Sequence, residues 1–432
     1  MATRDEQSNN FLNSDALNDE FFVELVESKL NLTRDQFKVR LVLISPATGK
    51  NENFLSVVYR AKINVEIFAS NERKFVDVII KAMLSNLPEI KEWSVFPREI
   101  FIYKNIIKSF ENIWKERANE EIVFGPKCLK VATEPYEVVV LDDLKAEGFQ
   151  MLNRKLGVDV DQAKLVLSKL AKFHAASCIR YQKDGEISKQ LDRKATLQLF
   201  TKDSPFYEGY FKMIREFRSV ISEIKGFEKI HKVVSTWDPE VMINSFFEAT
   251  KPFKNGFKIL NHGDDWLNNI MFKINDKGIT EDVKLLDYQI SYWGSCAGDL
   301  FYFLISSVKD ECKTKYFDEF IEYYHSELVN SLKKLNYDQH IPTLNELWDD
   351  LLEKRQFASS ILIDIMFICK YDSDQEITME QFTDPNAFTP EMFNRMYRND
   401  NYLKALKSWL PFLYERGYLN PVAFEENGER EE

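Results

Sequence analysis

Histidine is scarce in this chain of 432 residues, with five in all. His262 alone lies in the stretch richest in neighbouring acids and amides. A hydrolytic metal centre built on imidazole ligands therefore has little to draw on. The five cysteines (Cys128, Cys178, Cys296, Cys312 and Cys369) are odd in number, widely scattered and without a C-x-x-C pair. That argues against a disulfide framework or a thiolate zinc site and fits reduced thiols in a cytosolic protein. Long apolar runs are missing too. The longest, residues 361 to 369, is interrupted by Asp364 and falls short of the roughly 20 residues a membrane span needs. Residues 1 to 10 are polar and lack the basic-then-apolar pattern of a signal peptide. Positive charge is not in excess: 57 basic against 69 acidic residues leave a formal charge of -12. A nucleic-acid surface would demand clustered cations. No internal repeat or low-complexity block is present. The expectation is a soluble, cytoplasmic protein, a monomer, with neither membrane nor nucleic acid as partner.

What is there permits a large interior. Hydrophobic residues make up 44% and aromatics 14%, with 34 Phe, and the length suggests two lobes or domains. The chain is organised around Ile259-Leu260-Asn261-His262-Gly263-Asp264-Asp265-Trp266-Leu267-Asn268-Asn269-Ile270-Met271-Phe272, answered by Leu285-Leu286-Asp287-Tyr288-Gln289. An apolar strand runs into His-Gly-Asp, and an Asn follows five positions after Asp264. A hairpin turned at Asn275-Asp276-Lys277-Gly278 then returns Asp287 beside them. Taken singly, these residues read as a tight Gly turn with Asx caps. Together they make the set that phosphoryl transfer needs: one carboxylate to accept the proton of an attacking hydroxyl, and a second carboxylate with an amide to hold magnesium at the nucleotide phosphates. Asp264 is assigned as the base, and Asn269 and Asp287 as the metal ligands.

Asp-x4-Asn followed by an apolar hairpin ending in Asp resembles the catalytic loop of the protein-kinase fold. Here Gly263 stands where protein kinases carry Arg, Trp266 follows two residues past the acid, and Asp-Tyr-Gln replaces Asp-Phe-Gly. These features resemble the choline-kinase and aminoglycoside-phosphotransferase branch, and His-Gly-Asp-x-Trp-x-x-Asn-x-Met-Phe within it resembles the ecdysteroid kinase-like family. The resemblance implies an α+β, two-lobed protein-kinase-like fold with a small antiparallel-sheet N-lobe and a large, mostly helical C-lobe. It implies ATP and Mg2+ as cofactors. The acceptor it implies is a small-molecule alcohol, an ecdysteroid-type steroid or a hydroxylated xenobiotic. A choline- or ethanolamine-like acceptor stays open, because quaternary ammonium groups favour aromatic cages. Two readings from other classes also stand: a catalytically silent binding protein that keeps the kinase shape, and a metallohydrolase using His262, Asp264 and Asp287.

Residues 1 to 17 read as frayed, with an amphipathic helix over 19 to 29. A strand over 37 to 45, a turn at 46 to 53 and an alternating strand over 55 to 67 follow. That hairpin has one Gly and reads equally as an ordinary hairpin or a lid over phosphates; the kinase resemblance favours the lid, with Gly49, Asn51 and Ser56 at its phosphate-facing positions. Lys81 emerges from the apolar strand over 75 to 83 and needs a partner, because burying an unpaired ammonium costs several kcal/mol. Glu99, on a helix starting near Phe96-Pro97, is the candidate. In the kinase fold such a Lys holds the inner phosphates and the Glu fixes it. The strand over 136 to 141 running into Asp142-Asp143-Leu144 resembles the inter-lobe hinge. The boundary is set there: residues 1–140 as the nucleotide-binding lobe, 141–432 as the catalytic and acceptor-binding lobe.

In the second part, residues 161 to 177 form an apolar stripe capped by Asp161, with His174 read as a core histidine having one satisfied nitrogen. Residues 181 to 258 are helical in pattern, broken at Pro205 and Pro252. Asp299 heads a helix over 300 to 308 and takes a structural role, capping it or bracing the catalytic loop. Long helices are expected over 316 to 335, 356 to 371 and 402 to 413, the last ending near Gly417. The acidic tail from 425 onward is expected to be disordered.

Overall fold

The computed structural model describes residues 11–48, 56–83, 95–134, 136–191, 205–250, 256–371 and 389–421. The smaller lobe is one antiparallel sheet. Its strands β1 (Phe37–Pro46), β2 (Ser56–Ile67), β3 (Glu72–Met83), β4 (Cys128–Ala132) and β5 (Val138–Asp142) lie in the order β1-β2-β3-β5-β4. On β2, Val57, Tyr59, Ala61, Ile63 and Val65 are buried, while Arg60, Asn64 and Glu66 are half-buried and Lys62 is exposed. Burying a valine or isoleucine side chain such as Val57, Ile63 or Val65 is worth roughly 1.5–3 kcal/mol. A one-residue slip would turn all five to the other face, so the register is held. Helix α1 (Asp19–Leu30) sets Phe21, Phe22, Leu25 and Val26 into the same cluster. Phe11, expected to be frayed, is 2% exposed and meets Tyr136 edge-on at 5.3 Å. Packing, not the polar sequence around it, decides its order. Residues 1–10 and the acidic tail lie outside the described residues.

Helix α2 (Val95–Phe101) continues through a π-helical turn, Ile102–Ile107, into α3 (Lys108–Ala118). One face of this rod is buried among the hydrophobic residues of the larger, helical lobe. That lobe is built on α4 (Val160–Lys183), which packs against α7 (Phe317–Lys334), while α5 (Pro205–Glu223) and α6 (Ala297–Ser307) both pack against the segment Ile361–Ile365. Asp159 caps α4 in a capping box with Gln162. The expected cap, Asp161, sits in the first turn instead, because the Asp159 carboxylate reaches the Gln162 N–H and the Gln162 amide answers it. Pro205 opens α5 and does not break a helix. Pro252 lies outside the described residues. The long helix expected over 356 to 371 is interrupted by a π-helical turn at Ile361–Ile365. The hydroxyls of Tyr397 and Tyr402 donate to Ile363 O at 2.6 Å and Leu362 O at 2.7 Å, giving those two carbonyls partners from outside the helix.

Two small sheets carry the central motif. Strand β6 (Phe149–Met151) pairs with β8 (Ile270–Ile274), and β8 with β9 (Thr280–Leu285). Strand β7 (Ile259–Asn261) pairs with β10 (Tyr292–Gly294). The architecture is thus a small antiparallel-sheet lobe and a larger helical lobe, as the kinase-like resemblance implied. All five cysteines are free. Among the described residues, no helix is long and apolar enough to cross a membrane.

Candidate active site

A cleft between the lobes has a volume of about 990 Å³ counted with its open mouth. Its upper wall brings Ala47, Val58, Arg60 and Lys81, its rear Glu99 and Tyr103, and its floor Asn269, Met271 and Asp287. Gly49 and Asn51 lie outside the described residues. Ser56 is fully buried at the start of β2, opposite Met83.

Lys81 faces away from solvent at 5% exposure, and its Nζ donates to both Glu99 oxygens at 2.9 and 2.7 Å. It also sits 2.9 Å from Asp287 Oδ1, close enough for an ion pair though not aligned as a hydrogen bond. Burial works against the ammonium, but the Asp287 and Glu99 carboxylates outweigh it and raise its pKa. Glu99 moves up from its usual range because burial outweighs the charge of Lys81. The lysine of one lobe therefore bridges a helix acid and an acid of the other lobe's loop.

Asp287 has φ 64°. The other described non-glycine residues in the left-handed region are all Asn, a residue that tolerates it in turns. Asp shares that tolerance through its short polar side chain, so the loop can turn at Asp287 and aim its carboxylate at Lys81. Its N–H reaches the Tyr103 hydroxyl at 3.4 Å. Gly263, at φ 85°, lets the chain turn sharply before Asp264. A Cβ there would come within 2.5 Å of Ile290 O, which explains why the position admits no arginine.

Asp264 is half-buried. Asn269 Nδ2 donates to its Oδ2 at 2.8 Å and to its backbone O at 2.8 Å, so the Asn269 carbonyl oxygen is the part left for a ligand. Burial, then the Asp287 charge, push the Asp264 carboxyl up to about 7, against the hydrogen bonds of Tyr302 and Asn269. An amide oxygen and a carboxylate are hard donors of the kind magnesium takes, and Asn269 and Asp287 both line the cleft. Among the described residues, no group of three or more His, Cys, Asp and Glu is arranged as a metal cluster.

A family comparison bears on this arrangement. The model of the ecdysteroid kinase-like family matches residues 50–337, two thirds of the chain. The chain belongs to the ecdysteroid kinase-like family. Membership makes it a kinase-like phosphotransferase in general, with ATP use as the family's general implication. Among curated proteins, none matches it.

The match runs from residue 50 to residue 337, so it takes in every cleft residue described so far except those of the first hairpin before residue 50. Of the two structural roles expected of Asp299, capping its helix or bracing the loop before Asp264, the structure shows the bracing. Its Oδ2 accepts the His262 N–H at 2.7 Å and its Oδ1 the Gly263 N–H at 2.8 Å. His174 Nε2 donates to Asp299 Oδ2 at 3.0 Å, and Nδ1 meets the Tyr324 hydroxyl at 2.7 Å. Both nitrogens of His174 are engaged, one more than expected. Arg98, beside Glu99, donates to Ser291 O at 2.7 Å, and Ser291 Oγ donates to His262 O at 2.8 Å. The helix of Glu99 is thereby tied to both loops of the site. At the hinge, Asp142 N–H donates to Lys127 O at 3.0 Å and Asp143 N–H to Asp77 O at 3.4 Å, while the Asp143 carboxylate pairs with Arg60. Two hinge amides are thus already engaged.

Proposed function

We propose that this protein is an ATP- and Mg2+-dependent small-molecule kinase that phosphorylates a hydroxyl of an apolar acceptor, an ecdysteroid-type steroid or a hydroxylated xenobiotic. The observation that carries the reading is Lys81 meeting Glu99 and Asp287 at once, within 2.9 Å of each. That is a phosphate-binding cation held next to a candidate metal ligand. Residues 1–140 serve as the nucleotide-binding lobe, with Gly49, Asn51 and Ser56 in the lid. Residues 141–432 serve as the catalytic and acceptor-binding lobe.

In this reading Lys81, fixed by Glu99, binds the inner phosphates of ATP. Asn269 and Asp287 hold magnesium, which when bound neutralises charge on the phosphates. Asp264 takes the proton from the acceptor hydroxyl, which must come within hydrogen-bond reach of it. Its elevated pKa suits a base working near neutrality. The protein acts as a cytoplasmic monomer on a small-molecule alcohol, with no nucleic acid or membrane partner.

The test is transfer of label from γ-labelled ATP to a panel of steroid, choline-like and xenobiotic alcohols. The reading expects magnesium-dependent labelling of an apolar hydroxylated member. Label on choline alone would move the acceptor class. Nucleotide binding without transfer to any member would favour a silent binding protein.

A further inference from the structure

Both oxygens of Asp264 are engaged. Asn269, from the same loop, holds Oδ2 at 2.8 Å. The Tyr302 hydroxyl donates to Oδ1 at 2.6 Å. Tyr302 comes from helix α6, one turn beyond Asp299, so one helix holds the loop backbone at Asp299 and the base's side chain at Tyr302. Within α6 every other residue is buried, and Tyr302 alone is half-buried. It is therefore the one residue of this helix that packing leaves partly open, and it touches Asp264, which is itself half-buried. A carboxylate that serves as base must present an oxygen to an incoming hydroxyl, and the oxygen not held by its own loop already carries one.

We propose that Tyr302 is a placeholder for the acceptor: its phenol fills the seat that the acceptor hydroxyl takes on Asp264, and keeps water out of it until the acceptor displaces the ring. The proposal rests on the kinase reading and deepens it by naming the residue that separates transfer from hydrolysis. The step held back is simple. A water oxygen would bond to the γ-phosphorus, the bond from that phosphorus to the nucleoside diphosphate would break, and the water's proton would pass to Asp264. The productive step has the same balance, with the acceptor's oxygen in place of the water's. Excluding water from a closed site is how such side reactions are prevented. The phenol itself is a poor competitor for the phosphoryl group, because burial and the Asp264 charge push its own ionisation well up.

The experiment uses the full chain as wild type, Tyr302→Phe and Tyr302→Ala, with Mg·ATP and no acceptor. It follows inorganic phosphate release, nucleotide affinity by calorimetry and intact-protein mass. The proposal expects unchanged nucleotide affinity and phosphate release raised roughly tenfold or more in Tyr302→Phe, since an opened seat exposes a general base to water. If Tyr302→Ala does not fold, Tyr302→Phe, which keeps the ring, still reads out. A supporting role for Tyr302 predicts the opposite sign, because a poorly held base slows every transfer. Equal or slower release with wild-type affinity would overturn the proposal. Phosphate found on Tyr302 itself would also overturn it, making the phenol an acceptor. A wild type that binds no Mg·nucleotide would sink the kinase reading first, and calorimetry on the wild type alone reveals that case.

Discussion

The Asp299 carboxylate accepts the backbone N–H of His262 at 2.7 Å, and with Ser291 Oγ on the His262 carbonyl it holds the turn from which Asp264 projects. Asp299 is fully buried and also holds the Gly263 N–H. Asp299→Ala leaves two buried N–H groups without a partner. Each orphan costs about 1–3 kcal/mol, so urea unfolding should show a loss of about 2–6 kcal/mol. A variant as stable as wild type would mean that the loop finds other partners.

Gly263→Ala tests the turn from the other side. The left-handed backbone costs an alanine about 1–2 kcal/mol, and the contact its Cβ would make at 2.5 Å with Ile290 O adds about 1–3 kcal/mol of overpacking. The expected outcome is a lower thermal midpoint and lost turnover. A melting curve that overlays the wild type would show that the loop at Ile290 yields more easily than its packing implies.

Much of this site could be read along the chain because its geometry is local. Asp264 and Asn269 share one turn, and a short hairpin brings Asp287 back, so spacing alone put them together. Lys81 and Glu99 were found by a different signal, a cation in an apolar strand that needed a partner. Tyr302 left no such trace. It lies in the run Leu300 to Ile305, where one aromatic looks like any other core residue, and only the three-dimensional path of α6 shows which one turns to the base. Arg98 was hidden similarly, since its partner is a backbone carbonyl, which any residue supplies. The π-helical turn at Ile361–Ile365 was illegible because its carbonyls are met by hydroxyls from residues 397 and 402, an arrangement that no local propensity encodes.

The acid limb of the pH profile should lie near neutrality. In the proposed mechanism Asp264 works unprotonated, and burial pushes its carboxyl up to about 7. The rate at limiting nucleotide should therefore rise with pH to about 7 and level off above it, falling about tenfold for each unit below. A limb near pH 4 would show a solvated carboxylate in place of the buried one.

Asp287→Ala should weaken magnesium-dependent nucleotide binding by at least the roughly 10- to 100-fold that losing even an outer partner of a metal costs. Binding measured in excess chelator should change far less. Equal calorimetric affinity with and without Asp287 would remove it from the metal-binding set.

The most direct test of the whole account is Asp264→Asn, with turnover and Mg·ATP affinity measured on the same preparation. The account predicts nearly unchanged nucleotide affinity and phosphoryl transfer lower by about 10² to 10⁴. Transfer at the wild-type rate would contradict it.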